Sequence, residues 1–233
     1  MKRRAFLGSC AVMSGATSLA SLAEAWADTP PRLYGRTRLI DIHGDPVRTK
    51  RLATETNYVF HYPYASTPCF LLRLTKAAPV RSLARQNGGN YAWNGGVGPE
   101  RTVVAFSAIC AHKLAYPTRE VSFIRYQKER SDTSRGAVIH CCADHSIYDP
   151  VEGARVVSGP APQPLAAIVL EHDAATDQLT AIGTIGAEQF DAFFQKYELR
   201  LGIEYGPGKA KQPIGDRAVV KELSNYCRTT IQC

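Results

Sequence analysis

The sequence predicts an all-β protein with one C-terminal helix and an extended tail. Short runs rich in β-branched and aromatic residues are separated by Pro, Gly, Asn and Asp, which is typical of strands joined by turns. These runs are 57–62, 69–74, 102–108, 121–127, 137–141, 166–171 and 178–182. Nearer the C-terminus the apolar residues recur with a helical period instead. The two periodicities together define the fold class.

The predicted helix carries one apolar stripe. Its residues fall at spacings i, i+3, i+4, i+7 and i+11: Phe190, Phe193, Phe194, Tyr197 and Leu201. A stripe of this kind packs against a core, and Gly202 is expected to end the helix. The tail from 203 to 233 is broken by Gly and Pro and is weakly helical at 218–225.

The composition excludes several classes of protein. The chain has 233 residues, of which 45% are apolar and 21% charged, as in ordinary globular proteins. Neither a disordered chain nor a polytopic membrane protein fits these proportions. The net charge of +7 is moderate, and no window combines dense Lys and Arg with aromatic residues. We therefore expect no nucleic-acid partner.

Residues 1–27 are predicted to be an export signal. A basic start leads through small and apolar residues to Ala25-Trp26-Ala27, a small-x-small cleavage pattern. Arg3 and Arg4 resemble the arginine pair of a twin-arginine signal, which directs folded proteins to the periplasm. The segment is a poor membrane span because Gly, Ser and Ala dominate its middle. Membrane contact is expected only if the signal is retained.

Two short segments carry the candidate chemistry. Each follows an apolar run, and each combines one Cys with one His: Cys110 with His112, and Cys142 with His145. Zinc sites usually pair like ligands along the sequence, so the mixed spacing favours a binuclear iron–sulfur cluster. One iron would take both thiolates and the other both imidazoles. Zinc ligation, or a disulfide between Cys110 and Cys142 with ordinary histidines, are the alternatives.

A third segment supports the cluster. Residues 158–165 form a loop rich in proline, about a dozen residues after His145. Proline fixes the backbone and removes donors, so this loop is predicted to be a rigid lid over the cluster.

The three segments together resemble those of a Rieske 2Fe–2S protein, over roughly residues 100–185. This resemblance implies an antiparallel β-sandwich with a small cluster-binding subdomain at about 105–165. The domain plan is then a signal at 1–27, an N-terminal extension at 28–56, a Rieske domain at 57–186, and a helix and tail at 187–233. The implied cluster ligands are Cys110, His112, Cys142 and His145.

A wider similarity, from about Phe60 to Gly186, is to the small Rieske subunit of arsenite oxidase. It implies a one-electron carrier without a catalytic site of its own. The expected partners are a larger molybdenum-containing catalytic subunit and a c-type cytochrome or cupredoxin. The alternatives are the Rieske subunit of a quinol:cytochrome c reductase and a secreted β-sandwich binding protein with structural Cys/His turns.

The chain departs from the family pattern at three places. Ala115 and Asp144 stand where quinol-oxidising Rieske proteins have two further cysteines, joined as a disulfide. The family follows its last His with Gly-Ser-x-Tyr, but His145 is followed directly by Ser146-Ile147-Tyr148. Fewer hydrogen-bond donors predict a potential in the lower half of the Rieske range of about −150 to +300 mV. Finally, residues 113–141 make a long insertion, predicted to be either a solvated flap or a docking element.

The other cysteines of the mature chain are Cys69, Cys141, Cys227 and Cys233. Cys227 and Cys233 are near enough in sequence for a local disulfide, and parity leaves Cys69 with Cys141. Cys142 is preferred to Cys141 as a ligand because of its spacing from His145. Alternation along a strand turns two neighbours to opposite faces, so only one of them is expected in the site.

Overall fold

A computed structural model describes residues 30–86 and 88–233 of the chain. The predicted signal at 1–27 and its cleavage site lie outside the described residues. Over the described residues, the strands form one eight-stranded sheet, one four-stranded sheet and two two-stranded sheets. The predicted all-β class is confirmed.

Strands occupy all the predicted runs, and further strands occur near both ends of the chain and also at 81–93 and at 146–158. Their bounds are β1 (Arg32–Ile40), β2 (Tyr58–His61), β3 (Pro68–Arg73), β4 (Arg81–Ala84), β5 (Asn90–Trp93), β6 (Val103–Ser107), β7 (Val121–Ser122), β8 (Ile124–Gln127), β9 (Val138–Cys141), β10 (Ser146–Asp149), β11 (Arg155–Ser158), β12 (Ala167–Asp173), β13 (Gln178–Ile185), β14 (Arg217–Val219), β15 (Lys221–Glu222) and β16 (Thr229–Thr230). The helices are α1 (Glu188–Tyr205) and α2 (Leu223–Tyr226), and single 3-10 turns occur at Thr49–Arg51, Pro150–Glu152 and Lys209–Lys211.

The eight-stranded sheet has the order β14-β1-β13-β12-β6-β3-β2-β15. Its central strands β3 and β6 pair antiparallel, with Phe70 opposite Phe106. Both strands are apolar nearly throughout because both of their faces are covered. Alternate side chains enter two different cores: Leu71 packs on one face of the sheet and Phe70 on the other.

Helix α1 covers one face of this sheet. Phe190, Phe193, Phe194 and Leu201 are buried in that core, as the stripe predicts. The helix passes through Gly202 and ends at Gly206, whose φ of 88° favours glycine. The expected end at Gly202 is therefore wrong by one turn, because the backbone there stays helical.

The four-stranded sheet, of order β11-β10-β9-β8, packs on the other face. It contains the β9–β10 hairpin, in which Cys141 pairs with Ser146. The core between the two sheets includes Phe106, Ile139 and Tyr148. This second core also holds Cys110 and Cys141, so it is the apolar floor under the candidate site.

Two segments are more ordered than the sequence indicates. The glycine-rich segment 85–100 has the composition of a surface loop, but its strand β5 pairs with β4, and Trp93 packs on Phe106 with ring centroids 5.6 Å apart. The N-terminal segment has a strand-like sequence only at 39–42, but β1 pairs with β13 from Arg32 onward. In both segments long-range pairing outweighs a weak local pattern.

The insertion at 113–141 contributes the two strands β8 and β9 to the four-stranded sheet. Strand β8 pairs with β9, and Tyr126 is buried. The C-terminal tail runs beside the insertion, where β16 pairs in parallel with β7. No helix in the described part of the chain is long and apolar enough to cross a membrane.

Candidate metal centre

The first candidate turn follows β6 and spans residues 110–115. The backbone N–H of Cys110 donates to the carbonyl of Ala115 at 2.8 Å, and that of Leu114 donates to the carbonyl of Cys110 at 3.0 Å. Leu114 has a positive φ of 58°. These bonds close the loop tightly, so that Cys110 and His112 project from a fixed backbone.

The second candidate turn, residues 142–145, joins β9 to β10. The N–H of His145 donates to the carbonyl of Cys141 at 2.7 Å, and His145 adopts a left-handed φ of 58°. The carboxylate of Asp144 accepts the N–H of Ser146 at 3.0 Å. Because this bond folds the Asp144 side chain back over the turn, its other oxygen can face the first turn.

The two turns meet at four side chains, which we call the thiol–carboxylate site: Cys110, His112, Cys141 and Asp144. The two sulfurs and a carboxylate oxygen of Asp144 lie within 4.8 Å of one another. Cys110 Sγ is 3.2 Å from Asp144 Oδ2, and His112 Nδ1 is 3.0 Å from the same oxygen. Two soft sulfurs, an imidazole and a carboxylate are all groups that bind iron.

The site is buried at its base and open at one edge. Cys110 and Cys141 are fully buried, and the Asp144 side chain is only 2% exposed. The His112 side chain is 36% exposed, so the imidazole is the part of the site that meets solvent.

Hydrogen bonds to Cys110 favour its anion. The Cys141 thiol lowers the pKa of Cys110, and the same interaction together with burial raises the pKa of Cys141. Burial raises the pKa of Tyr148 as well, so its hydroxyl stays protonated. That hydroxyl lies 3.2 Å from Cys110 Sγ and accepts the N–H of Ala111 at 3.1 Å, which leaves its proton for the sulfur.

Asp144 remains ionised in spite of its burial. Burial opposes its charge, but hydrogen bonds from the Ser146 N–H and the Cys110 thiol outweigh that effect and lower the pKa of Asp144. The site thus combines two buried thiols with a buried carboxylate, which is a donor set for a cation.

The structure does not bring the four predicted ligands together. Cys110 and His112 lie in the thiol–carboxylate site, but Cys142 forms a disulfide with Cys233. Cys142 therefore does not face Cys110 in this structure; its role as a ligand stays a prediction from the sequence, and the geometry favours Cys141. The reason is strand alternation: Cys141, its neighbour, turns inward to Cys110, and Cys142 turns to the tail.

His145 belongs to a different group. Its ring lies against that of His140, with centroids 5.8 Å apart, and both histidines are near Cys233. The disulfides considered from sequence, Cys227–Cys233 and Cys69–Cys141, are wrong, since Cys233 pairs with Cys142 and the other three are free thiols. Cys141 and Asp144 were not singled out from the sequence. Their spacing from Tyr148, seven and four residues before it, could have identified them if Tyr148 had been taken as the tyrosine that contacts Cys110.

The proline-rich loop lies against the second turn. A Cβ added at Gly159 would come within 2.4 Å of the His145 carbonyl oxygen and 2.6 Å of Ser146 Cα. Only glycine therefore allows this backbone to approach so closely. The loop thus packs against the backbone of the second turn, and its role as a lid stays a prediction.

Ser146 provides a test of whether an iron–sulfur cluster fits. Its Oγ is buried and forms no hydrogen bond of regular geometry within the described residues, although it lies close enough to the Asp144 carboxylate to help lower the pKa of that group. A buried hydroxyl without a partner is costly, and a cluster sulfur is an acceptor that would satisfy it. Together with the two inward thiols, this unpaired donor shows that the residues present fit such a group.

Comparison with known proteins defines the class of this one. No protein-family model matches the chain. It is 30% identical to a solved protein, the soluble domain of the Rieske protein II (soxF) from Sulfolobus acidocaldarius, over 65% of this chain and 78% of that one, with a TM-score of 0.45. The Cys and His side chains that meet at the two turns include groups that could hold a metal ion. On the identity and its coverage, the chain belongs to the Rieske protein family.

Proposed function

We propose that the protein is an exported one-electron carrier with a Rieske-type 2Fe–2S cluster in the thiol–carboxylate site. The observation that carries this proposal is the convergence of the Cys110 and Cys141 thiols with the imidazole of His112 at the meeting of two turns. Cys110 and Cys141 would hold one iron, and His112 would hold the second.

The cluster, when bound, supplies reversible one-electron chemistry. The protein keeps water from the sulfurs, since Cys110 and Cys141 lie in the apolar core between the two sheets. Tyr148 donates a hydrogen bond to Cys110, and Ser146 has a free donor for a cluster sulfur. Such donors stabilise the more negative, reduced state and raise the potential.

Electrons would enter and leave through His112. Its side chain is the most exposed part of the site, whereas Asp144 and the two cysteines are enclosed. Because electron transfer requires a short path, a partner is expected to contact the surface around His112. No catalytic site for a substrate is needed for this role.

The carrier is proposed to act in the periplasm as the small subunit of an arsenite oxidase-like molybdenum enzyme. It would take electrons from the large catalytic subunit and pass them to a c-type cytochrome or cupredoxin. The support is the sequence similarity from Phe60 to Gly186 and the paired arginines in residues 1–27. The disulfide is a further support, since it suits an oxidising compartment.

Metal analysis of single-thiol variants tests the cluster site. Wild-type protein should contain about two irons and two acid-labile sulfides per chain. Cys110→Ala and Cys141→Ala should lose both the iron and the sulfide, because each substitution removes a thiolate ligand of the cluster. Cys69→Ala is the matched control, since Cys69 is also a buried free thiol. Equal iron in all four proteins would contradict the proposal, as would one zinc per chain in a colourless wild type.

Export is tested separately with the full-length chain. Replacing Arg3 and Arg4 by lysine should leave the protein in the cytoplasm with its cluster assembled, because twin-arginine export acts on folded protein. Replacing Lys2 by arginine is the control and should not change export. Normal periplasmic levels of the double-lysine variant would show that another route is used.

A further inference from the structure

Asp144 is a buried carboxylate without a conventional cationic partner. Its side chain is 2% exposed, and His112 is its ion-pair partner among the described residues. Its oxygens otherwise accept from the Cys110 thiol and the Ser146 N–H. A buried negative charge is costly unless it is paired or bound to a metal, and Asp144 faces two cysteines and a histidine.

The register of the second turn places Asp144, rather than His145, at the site. Tyr148 is fixed by its contact with Cys110, and Cys141 by its pairing with Ser146. Between these fixed points Asp144 projects inward to His112, while the left-handed backbone at His145 directs that ring to His140. The second turn therefore offers the site a carboxylate and no imidazole.

We propose that Asp144 is the fourth cluster ligand, so that Cys110 and Cys141 bind one iron and His112 and Asp144 bind the other. This rests on the proposed function, because it concerns the same cluster. Carboxylate and imidazole bind iron together in other non-haem sites. The usual second imidazole of the family is replaced here by an anionic oxygen.

The replacement has an electrostatic consequence. A carboxylate adds negative charge where an imidazole is neutral, so the extra electron of the reduced state is less stabilised. The potential should lie below that of the same protein with histidine at position 144. His112 becomes the sole imidazole ligand and the sole imidazole path to a partner.

A second role for Asp144 must be separated from ligation. A carboxylate beside a metal-bound histidine often serves only to orient the ring, and Asp144 Oδ2 does lie 3.0 Å from His112 Nδ1. If Asp144 only orients His112, the second iron needs another imidazole, and His145 is the nearest candidate in the turn. If Asp144 binds the iron, the cluster has one nitrogen ligand; if Asp144 only orients His112, the cluster has two.

Pulsed EPR on reduced holoprotein labelled with ¹⁵N-histidine counts those ligands directly. We expect one strongly coupled imidazole nitrogen in wild type and in His145→Ala, and two in Asp144→His together with a raised potential. Two coupled nitrogens in wild type, with one lost in His145→Ala, would overturn the proposal. The wild-type spectrum decides even if the variants fail to fold.

The outcome also distinguishes this inference from the proposed function. Absence of iron and sulfide from wild-type protein would overturn both, because there would be no cluster to ligate. A cluster with two imidazole ligands would overturn only the assignment of Asp144 and leave the electron carrier intact.

Discussion

Cys142 is joined by a disulfide to Cys233, 91 residues further along the chain. The bond attaches the C-terminal tail to the second turn, directly beside Cys141. The tail is also held by hydrogen bonds, since the Ile231 N–H donates to the Ser122 carbonyl at 2.9 Å and the Ser131 hydroxyl to that of Cys233 at 2.9 Å. The protein thus fixes the second turn to its own C-terminus.

Removing this disulfide should weaken the fold but not the metal site. Cys233→Ser opens a long loop, and we expect a loss of about 2–4 kcal/mol in the free energy of unfolding. Iron content should stay unchanged because neither sulfur belongs to the thiol–carboxylate site. Denaturant unfolding without reductant measures the free energy of unfolding, and iron analysis measures the metal content.

Cys227→Ser is the control, since Cys227 is a free thiol of the same tail. Complete loss of iron in Cys233→Ser alone would show that the Cys142 region ligates the cluster after all.

Tyr148→Phe tests the hydrogen bond to Cys110. The variant removes one donor to the sulfur, which at about 1 kcal/mol corresponds to a lowering of the potential by about 40 mV for a one-electron couple. A redox titration followed by EPR measures the change. Tyr126→Phe removes a buried hydroxyl that donates to Glu55 instead, and should leave the potential unchanged. An unchanged potential in Tyr148→Phe would exclude this hydrogen bond as a determinant.

Asp177 links stability to pH at a distance from the cluster. Although burial opposes its charge, hydrogen bonds from Thr49 and His172 lower the pKa of Asp177 to about 2. A carboxyl with a folded pKa below its unfolded value of about 4 stabilises the protein above pH 4, and this is lost as the pH falls toward 2. Allowing for solvent screening, the contribution is about 1–2 kcal/mol.

Asp177→Asn should therefore be less stable than wild type at pH 7 and should lose less stability between pH 4 and pH 2. Asparagine tolerates the positive φ of 57° at this position, so the backbone is preserved. Urea unfolding at several pH values measures the free energy of unfolding at pH 7 and its change between pH 4 and pH 2. Asp132→Asn, at an exposed position between β8 and β9, is the control. Parallel stability curves for Asp177→Asn and wild type would contradict the assignment.

Phe123 is the part of the insertion best placed for docking. Its side chain is 39% exposed, and its carbonyl accepts the N–H of Cys142, so it lies beside the second turn. Tyr126, the next aromatic residue of the insertion, is buried and cannot contribute. We expect Phe123→Asp to slow electron transfer to a c-type cytochrome several-fold with the cluster unchanged.

Stopped-flow kinetics at low and moderate salt measure this rate. Leu33→Asp places the same charge at another exposed apolar residue, on β1, and should have little effect. If both variants transfer electrons at the wild-type rate, the insertion does not dock the cytochrome.

The sequence predicts the scaffold better than the site. The apolar runs of β3 and β6 and the stripe on α1 depend on local periodicity, which a sequence displays directly. The first turn is also local, and Cys110 and His112, which it carries, both lie beside Asp144. The β4–β5 hairpin is missed because Tyr91 and Trp93 are buried by distant partners in a segment rich in glycine.

The choice between Cys141 and Cys142 shows why the rest of the site is harder to predict from the sequence. Side chains alternate along a strand, so the two cysteines must face opposite sides of the sheet. Which of them faces the core depends on the register of β9 with β10. The partner of Cys142 is Cys233, and no local signal identifies a pairing across 91 residues. The position of Tyr148 indicates which cysteine of β9 faces inward, but only when the contact of Tyr148 with Cys110 is known.

The EPR spectrum of the dithionite-reduced, purified protein decides whether it holds a Rieske-type cluster. We expect a coloured protein whose reduced form gives one spin per chain, with an average g value below that of the free electron, as expected for a 2Fe–2S cluster with non-sulfur ligands. The signal should disappear in Cys110→Ala and persist in Cys69→Ala. A colourless wild type with no signal on reduction and one bound zinc per chain would show that there is no such cluster.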